Sequence, residues 1–406
     1  IWVDTDDSLF NTADDSVLWN GIARPTLAGN ANKALVVNSA GNAFEFATVS
    51  GGDGTYASKT ESDLTLYVYE DATGTGDGSS KANGFTTLQD AIDAIPDVAQ
   101  NVTVIVCKGS TNYLGQTTTI QKASVKSLTI RGEFYAYESC DANAVAGKVV
   151  DADADFSDFE VGDRVVCTKY SGTVGSSAIV DYFYATITEV GEGYVQTSEE
   201  TKVPTTGWRY LINQTIFNGN YNSIPLLELS NIDKSIIEGI YFENCTEYVG
   251  YAILAHRTLT VNYCIFNKNA ASIVTYSNLG TTSLYGDSIV NSVDNIALTV
   301  TSNGGRLFTS NCIYAGSTFI SSVGFSQANS EGSILSRYCG FFKLLRAVST
   351  QWPNSYNTLI SSYIDSSCTY GAYGYNITLI DCTNNAATPV YHLTSGGRVA
   401  DVDIHA

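Results

Sequence analysis

The chain has 406 residues, 15% of them charged, with 21 Lys and Arg against 41 Asp and Glu and a formal net charge of −20. That balance excludes a nucleic-acid-binding protein, whose affinity for phosphate comes from clustered basic residues, and 44% hydrophobic content excludes general disorder. No apolar run reaches the roughly 18 residues of a membrane-spanning helix, while the length, at about 150 residues per domain, predicts two or three structural units.

The sequence holds no Met and starts at Ile1, so it is expected to be a processed product or a piece of a longer chain. Residues 1–60 read as a connector. Short apolar bursts such as Ala34-Leu-Val-Val37 and Phe44-Glu-Phe46 alternate with turn residues, too short to bury a core and suited to pairing between chains. Leu64 to Asp71 reads as a strand. Gly74 to Ser80 is glycine-rich but lacks the Gly-Lys-Ser/Thr ending of a phosphate loop, so it reads as a turn. Leu88, Ala91, Ile92 and Ile95 recur at helical spacing, with Thr86 or Thr87 able to serve as N-cap and Pro96 ending the run, which predicts a short amphipathic helix. Strands follow at Val102–Val106 and Ser127–Arg131.

The block from Leu64 to Gly132 resembles the start of right-handed parallel β-helix proteins of the pectate-lyase-like superfamily. The matching residues are Asp77-Gly-Ser79, Phe85-Thr-Thr-Leu88, Val104-Ile-Val106 and Gly109 to Tyr113. The resemblance implies a helix capping one end of a solenoid. Residues 61–139 are expected to form that start, 140–210 an inserted β-barrel or β-sandwich, and 211–406 the solenoid body. Phe159–Val166 and Ala185–Val195 supply alternating strands in the insertion. Asp151, Asp153 and Asp155 begin like a calcium loop, but Phe156 and Gly162 stand where the loop needs Gly and Glu. No metal or other cofactor is expected.

From residue 211 the sequence repeats. Related segments start at Thr215, Ile240, Cys264, Ser288, Cys312, Cys339, Tyr363 and Cys382, spaced 25, 24, 24, 24, 27, 24 and 19 residues apart. A period near 24 without room for a helix predicts one coil of a parallel β-helix per repeat. Two places after these anchors stand Phe217, Phe242, Phe266, Val290, Tyr314 and Phe341, and four places before stand Ile236, Leu284, Phe308, Leu335 and Leu359, both read as buried columns. The anchor cysteines are expected to be buried free thiols. The fold class is therefore all-β: a right-handed parallel β-helix with a capping helix, an inserted β domain and an N-terminal connector.

Enzymatic chemistry on a sugar needs two carboxylates about 5 Å or roughly 6.5–9.5 Å apart. The best candidates are Asp365 and Asp381, on adjacent coils with backbones roughly 11 Å apart at the strand spacings of a β-helix. Asp365 is expected to interrupt the column holding Phe341. The polygalacturonase set of Asn-Thr-Asp, Asp-Asp, Gly-His-Gly and Arg-x-Lys signatures is absent, and His256-Arg257 is the only basic pair near the repeat. The 26 Tyr, with abundant Ser, Thr and Asn, suit sugar contacts or subunit packing.

Ile1-Trp-Val-Asp-Thr5, Trp19-Asn-Gly-Ile22 and the stretch from Gly29 to Phe46 resemble connector segments of tailed-bacteriophage fibre and tailspike proteins. The resemblance implies a homotrimer on a virion, joined to other virion proteins through its N-terminal side and binding a host surface polysaccharide, without nucleic acid or membrane insertion. The alternative is a polysaccharide lyase or glycoside hydrolase of the same fold.

Overall fold

The computed structural model describes residues 34–37, 44–47 and 62–405, the last span without 97, 111–112, 115–117, 121–123, 142–144, 174–175, 221–224, 231, 246–250, 270, 276–280, 286–288, 293–297, 303–305, 317–322, 328–332, 351–355 and 392–398. Ile1–Ser58 and Lys59–Ala406 are separate compact units. In the first, Ala34–Val37 and Phe44–Ala47 pair antiparallel with each other, Ala34 opposite Ala47. The Ile1–Thr5 and Trp19–Ile22 segments lie outside the described residues.

The second unit is a parallel β-helix with three strand faces. One coil shows the plan. Lys234–Glu238 lies on the first face, Ile240–Glu243 on the second and Tyr251–Ala255 on the third, before Thr258–Asn262 returns to the first. Each strand pairs parallel with its counterpart one coil away. Period-2 alternation then sends every second side chain inward. On the second face the inward column runs Phe217, Phe242, Phe266, Val290, Tyr314, Phe341 and Ile364; the Val290 side chain lies outside the described residues. Its rings stack directly, with centroids 5.1 Å apart for Phe242 and Phe266 and 5.2 Å for Tyr314 and Phe341.

The helix Leu88–Ala94 is capped reciprocally: the Thr87 hydroxyl accepts from the Asp90 amide at 3.1 Å and donates to its carboxylate at 2.6 Å. Its buried Leu88, Ala91 and Ile92 join the solenoid core. It packs against Leu64–Val68 and Thr118–Ile120, the outermost strands of the first and third faces.

Two columns differ from the sequence reading. The register pairs Gly340 with Tyr363 and Phe341 with Ile364, so Ser362 and not Tyr363 stands in the anchor column, where it is buried with Cys339 and Cys382. Ile364 therefore continues the apolar column, and Asp365 does not interrupt it. On the first face Ile236, Phe308 and Leu335 are only half-buried, while Ile237, Leu307 and Ile334 point inward. The offset between first-face strands varies by a residue or more from coil to coil, and a one-residue slip exchanges the two faces of a strand. Ser288 and the side chain of Leu284 lie outside the described residues. All nine cysteines are free and buried; burial pushes the Cys245 and Cys264 thiols up to about 12.

Between the first-face strand Ser124–Gly132 and the second-face strand Thr215–Asn218 the chain leaves the solenoid. At Gly239, Tyr263, Asn311, Tyr338, Ser361 and Asp381 the same corner is one left-handed residue; here residues 133–214 follow Gly132, which stands level with Gly239. Six strands from Phe134–Ser139 to Trp208–Asn213 form an antiparallel sheet with its own core, including Phe156, Phe183, Trp208 and Tyr210. The neck is closed by the Gln214 amide donating to the Glu133 carbonyl at 3.0 Å. This sheet lies along the outside of the second face: Val166, Tyr170, Ile179 and Leu211 pack on Ile216, Tyr241, Ile265, Ile313 and Phe342. Gly340 belongs to the same outward column, and any Cβ there would come within 2.6 Å of the Ile179 carbonyl.

Candidate functional site

The apolar seam fills the middle of the contact between insertion and solenoid, and a cleft opens beyond it at each end. The first cleft, about 1180 Å³, lies beside the neck. Its floor comes from the corner residues of the first coils, and its opposite wall from the Asp158–Glu160 turn of the insertion. Charges are paired across it. Lys108 Nζ meets Asp163 at 2.7 Å and Glu160 at 3.0 Å, Lys81 meets Glu133 at 2.9 Å, and Arg131 meets Glu238 at 2.7 Å. Glu133 also accepts from the Lys108 amide at 2.7 Å. Burial works against the charge on Lys81 and Lys108, but their carboxylate partners outweigh it and raise both ammonium groups above the usual lysine value. Behind them burial, helped by Glu133, pushes the Cys107 thiol up to about 12. Tyr69 and Tyr263 add aromatic surface, with Tyr263 stacked on Phe134 at 5.6 Å.

The second cleft, about 700 Å³, lies between the insertion strand Ile179–Gly191 and the later coils. Asp365 and Asp181 both line it, one from the solenoid and one from the insertion. The Asp365 carboxylate accepts from the Ser367 amide at 2.8 Å, from the Ser367 hydroxyl and from the Tyr363 hydroxyl at 3.1 Å. Its partial burial would raise the carboxyl, yet these hydrogen bonds hold it below the usual carboxylate range. Asp181 takes Lys202 Nζ on both oxygens at 2.8 Å. Tyr182 lies between cleft and seam, its ring 5.0 Å from that of Phe342. Burial, Tyr184 and the two aspartates push its hydroxyl well above the usual tyrosine value.

Asp365 and Asp381 do not share a site. Ile364 is level with Asn384 on the next coil, which puts Asp381 four register positions from Asp365. Asp381 is the left-handed residue of its corner, φ 50°, and accepts from the Ser361 hydroxyl at 2.9 Å. His256-Arg257 sits at a separate corner, where Arg257 pairs with Asp233 at 2.6 Å. In the insertion, buried Asp151 accepts from the Tyr210 hydroxyl at 2.7 Å, and Asp155 accepts from the Ser157 amide; among the described residues no group of three or more His, Cys, Asp or Glu is placed to hold a metal ion. Sequence reasoning missed Asp181, Glu133 and Glu160, because it sought carboxylates along the repeat and these are brought in by the insertion and its neck. The interruption of the 24-residue rhythm at Gly132 was the available signal.

No family model and no curated protein sequence matches the chain. Among solved structures it is similar to the Pseudomonas phage phi297 tailspike gp61, with 10% identity over 75% of this chain and 68% of that one and a TM-score of 0.21. It is similar to the tailspike protein gp49 from Pseudomonas phage LKA1, with 12% identity, 74% and 52% coverage and a TM-score of 0.25. A third is the gp54 tailspike of Acinetobacter baumannii bacteriophage AP22, solved in complex with A. baumannii capsular saccharide, with 8% identity, 74% and 71% coverage and a TM-score of 0.22. Likenesses this distant assign neither a function nor a site to the chain.

Proposed function

We propose that this chain is the subunit of a virion appendage, a phage fibre or tailspike, that binds a host surface glycan in the clefts beside its insertion. The observation that carries the glycan reading is the build of the first cleft: tyrosine surface beside carboxylates and ammonium groups already paired with one another. Such a lining offers many fixed donors and acceptors to hydroxyl groups and apolar ring surface to a sugar face. The connector-like N-terminal sequence supports attachment to a virion. Self-association is supported by the outer first face, where Ile236, Phe308, Leu335 and Ile360 are only half-buried. Substituting Tyr69 with Ala, which removes one aromatic wall, should weaken capture of the host's surface polysaccharide by at least about tenfold, the loss of ~1.4 kcal/mol; unchanged capture would remove the first cleft from the account.

A hydrolytic or lyase reading rests on a separate observation, the placing of Asp181 and Asp365 on one cleft from two elements. It requires that purified protein release reducing or unsaturated ends from that polysaccharide, and that Asp365→Asn and Asp181→Asn each abolish the release without abolishing binding.

A further inference from the structure

We propose, building on the glycan reading, that the first cleft is selective by charge and takes glycans whose repeating unit carries no carboxylate, sulfate or phosphate. Five carboxylates line it, Asp71, Glu133, Asp158, Glu160 and Glu238, against three cations, Lys81, Lys108 and Arg131. Each cation is already engaged: Lys81 by Glu133, Lys108 by Glu160 and Asp163, and Arg131 by Glu238. An acidic sugar entering here must take a cation from its carboxylate and leave that carboxylate's charge without a counter-ion, held only by neutral donors such as the Glu160 amide and Gln214 on Asp163. The cost is greatest at Lys108, whose partner Asp163 has a side chain only 3% exposed. It would also meet the exposed carboxylates of Asp158 and Glu160 at the mouth, within a field set by a net charge of −20. Hydroxyl groups face no such exchange, because they donate to paired carboxylates without displacing anything. The tyrosines then set the attraction and the carboxylates set the rejection, the second half of specificity.

The test is interferometry of the full chain, and of the double variant Asp158→Lys/Glu160→Lys, on a panel of immobilised bacterial polysaccharides with neutral, amino-bearing or acidic repeats. Both substituted side chains are exposed, and Asp163 remains to hold Lys108. The wild-type chain is expected to capture only polysaccharides without acidic groups. Its affinity for them should change by less than about twofold between 50 and 500 mM NaCl, since salt screens pairs of exposed opposite charges and none is formed on binding. The variant is expected to gain capture of acidic polysaccharides at 50 mM NaCl by at least about tenfold, lost again at 500 mM. Capture of an acidic polysaccharide by the wild-type chain overturns the selectivity and leaves the glycan reading standing. Absence of capture across a panel that includes the host's own polysaccharide overturns the glycan reading and the selectivity with it.

Discussion

Gly239, Tyr263, Asn311, Tyr338, Ser361 and Asp381 share one backbone conformation, φ between 45° and 66°, at the corner where the first face turns into the second. On these six coils a single left-handed residue makes the bend, and the amide at the corner is bonded to the next coil, as from Tyr338 to the Ile360 carbonyl at 3.1 Å. The conformation costs a non-glycine residue roughly 1–2 kcal/mol, which the stacked hydrogen bonds offset. At Gly239 the restriction is absolute, because a Cβ would sit 1.9 Å from the Phe134 ring at the root of the insertion. Gly239→Ala is therefore expected to lower unfolding free energy by about 2–4 kcal/mol, combining the backbone cost with overpacking; denaturant titration measures it. Asp365 gives a pH prediction. Its carboxyl is held low by Ser367 and Tyr363 despite partial burial, so its contribution is complete above the unfolded value of about 3.9 and fades as pH falls through the lower folded one. Asp365→Asn should flatten the acid side of the stability curve below about pH 4 relative to the parent.

The strands show how far the sequence alone could be read. The repeat from Thr215 to Cys339 was legible because parallel stacking places like on like, and Phe217, Phe242 and Phe266 recur where the register later pairs them. It failed at the coil after Cys339, where the offset falls to 23 residues and Ser362 takes the place assigned to Tyr363, and recovered at Cys382, which is level with Ser362. A buried serine carries no apolar signal; its hydroxyl donates to the Ile360 carbonyl at 3.0 Å and so satisfies the site. The first face misled differently. Leu307 is buried and Phe308 half-buried, yet both are large and apolar, and only the register tells them apart. Leu307→Ala is expected to cost about 2–5 kcal/mol as a core truncation, and Phe308→Ala less than half the cost of Leu307→Ala despite removing more atoms. Equal costs in thermal melts would put Phe308 in the core. Of the candidate site, Asp365 was visible in sequence, but its cleft was not, since Asp181 reaches it through an insertion whose docking face no periodicity announces.

At the scale of the molecule the insertion serves as a side wall, and its removal is informative. Coils of a solenoid contact only their neighbours, and Gly132 already stands level with the corner residue Gly239 while Thr215 stands level with Ile240, so deleting residues 133–214 and joining Gly132 to Thr215 should preserve the β-sheet circular dichroism. It would also bare Ile216, Tyr241, Ile265, Ile313 and Phe342, and an apolar patch of that kind promotes association. The shortened chain is expected to aggregate, and Ile216→Thr with Ile265→Thr and Ile313→Thr to restore its solubility. Loss of sheet signal instead would make the insertion part of the folding core. The appendage reading also requires the intact chain to assemble, and the half-buried Ile236, Phe308, Leu335 and Ile360 of the first face are the surface it would pack in a closed threefold ring. Light scattering on the purified chain at micromolar concentration tests this most directly. The account predicts three copies of 43.5 kDa, about 130 kDa; a stable 43.5 kDa monomer would contradict it.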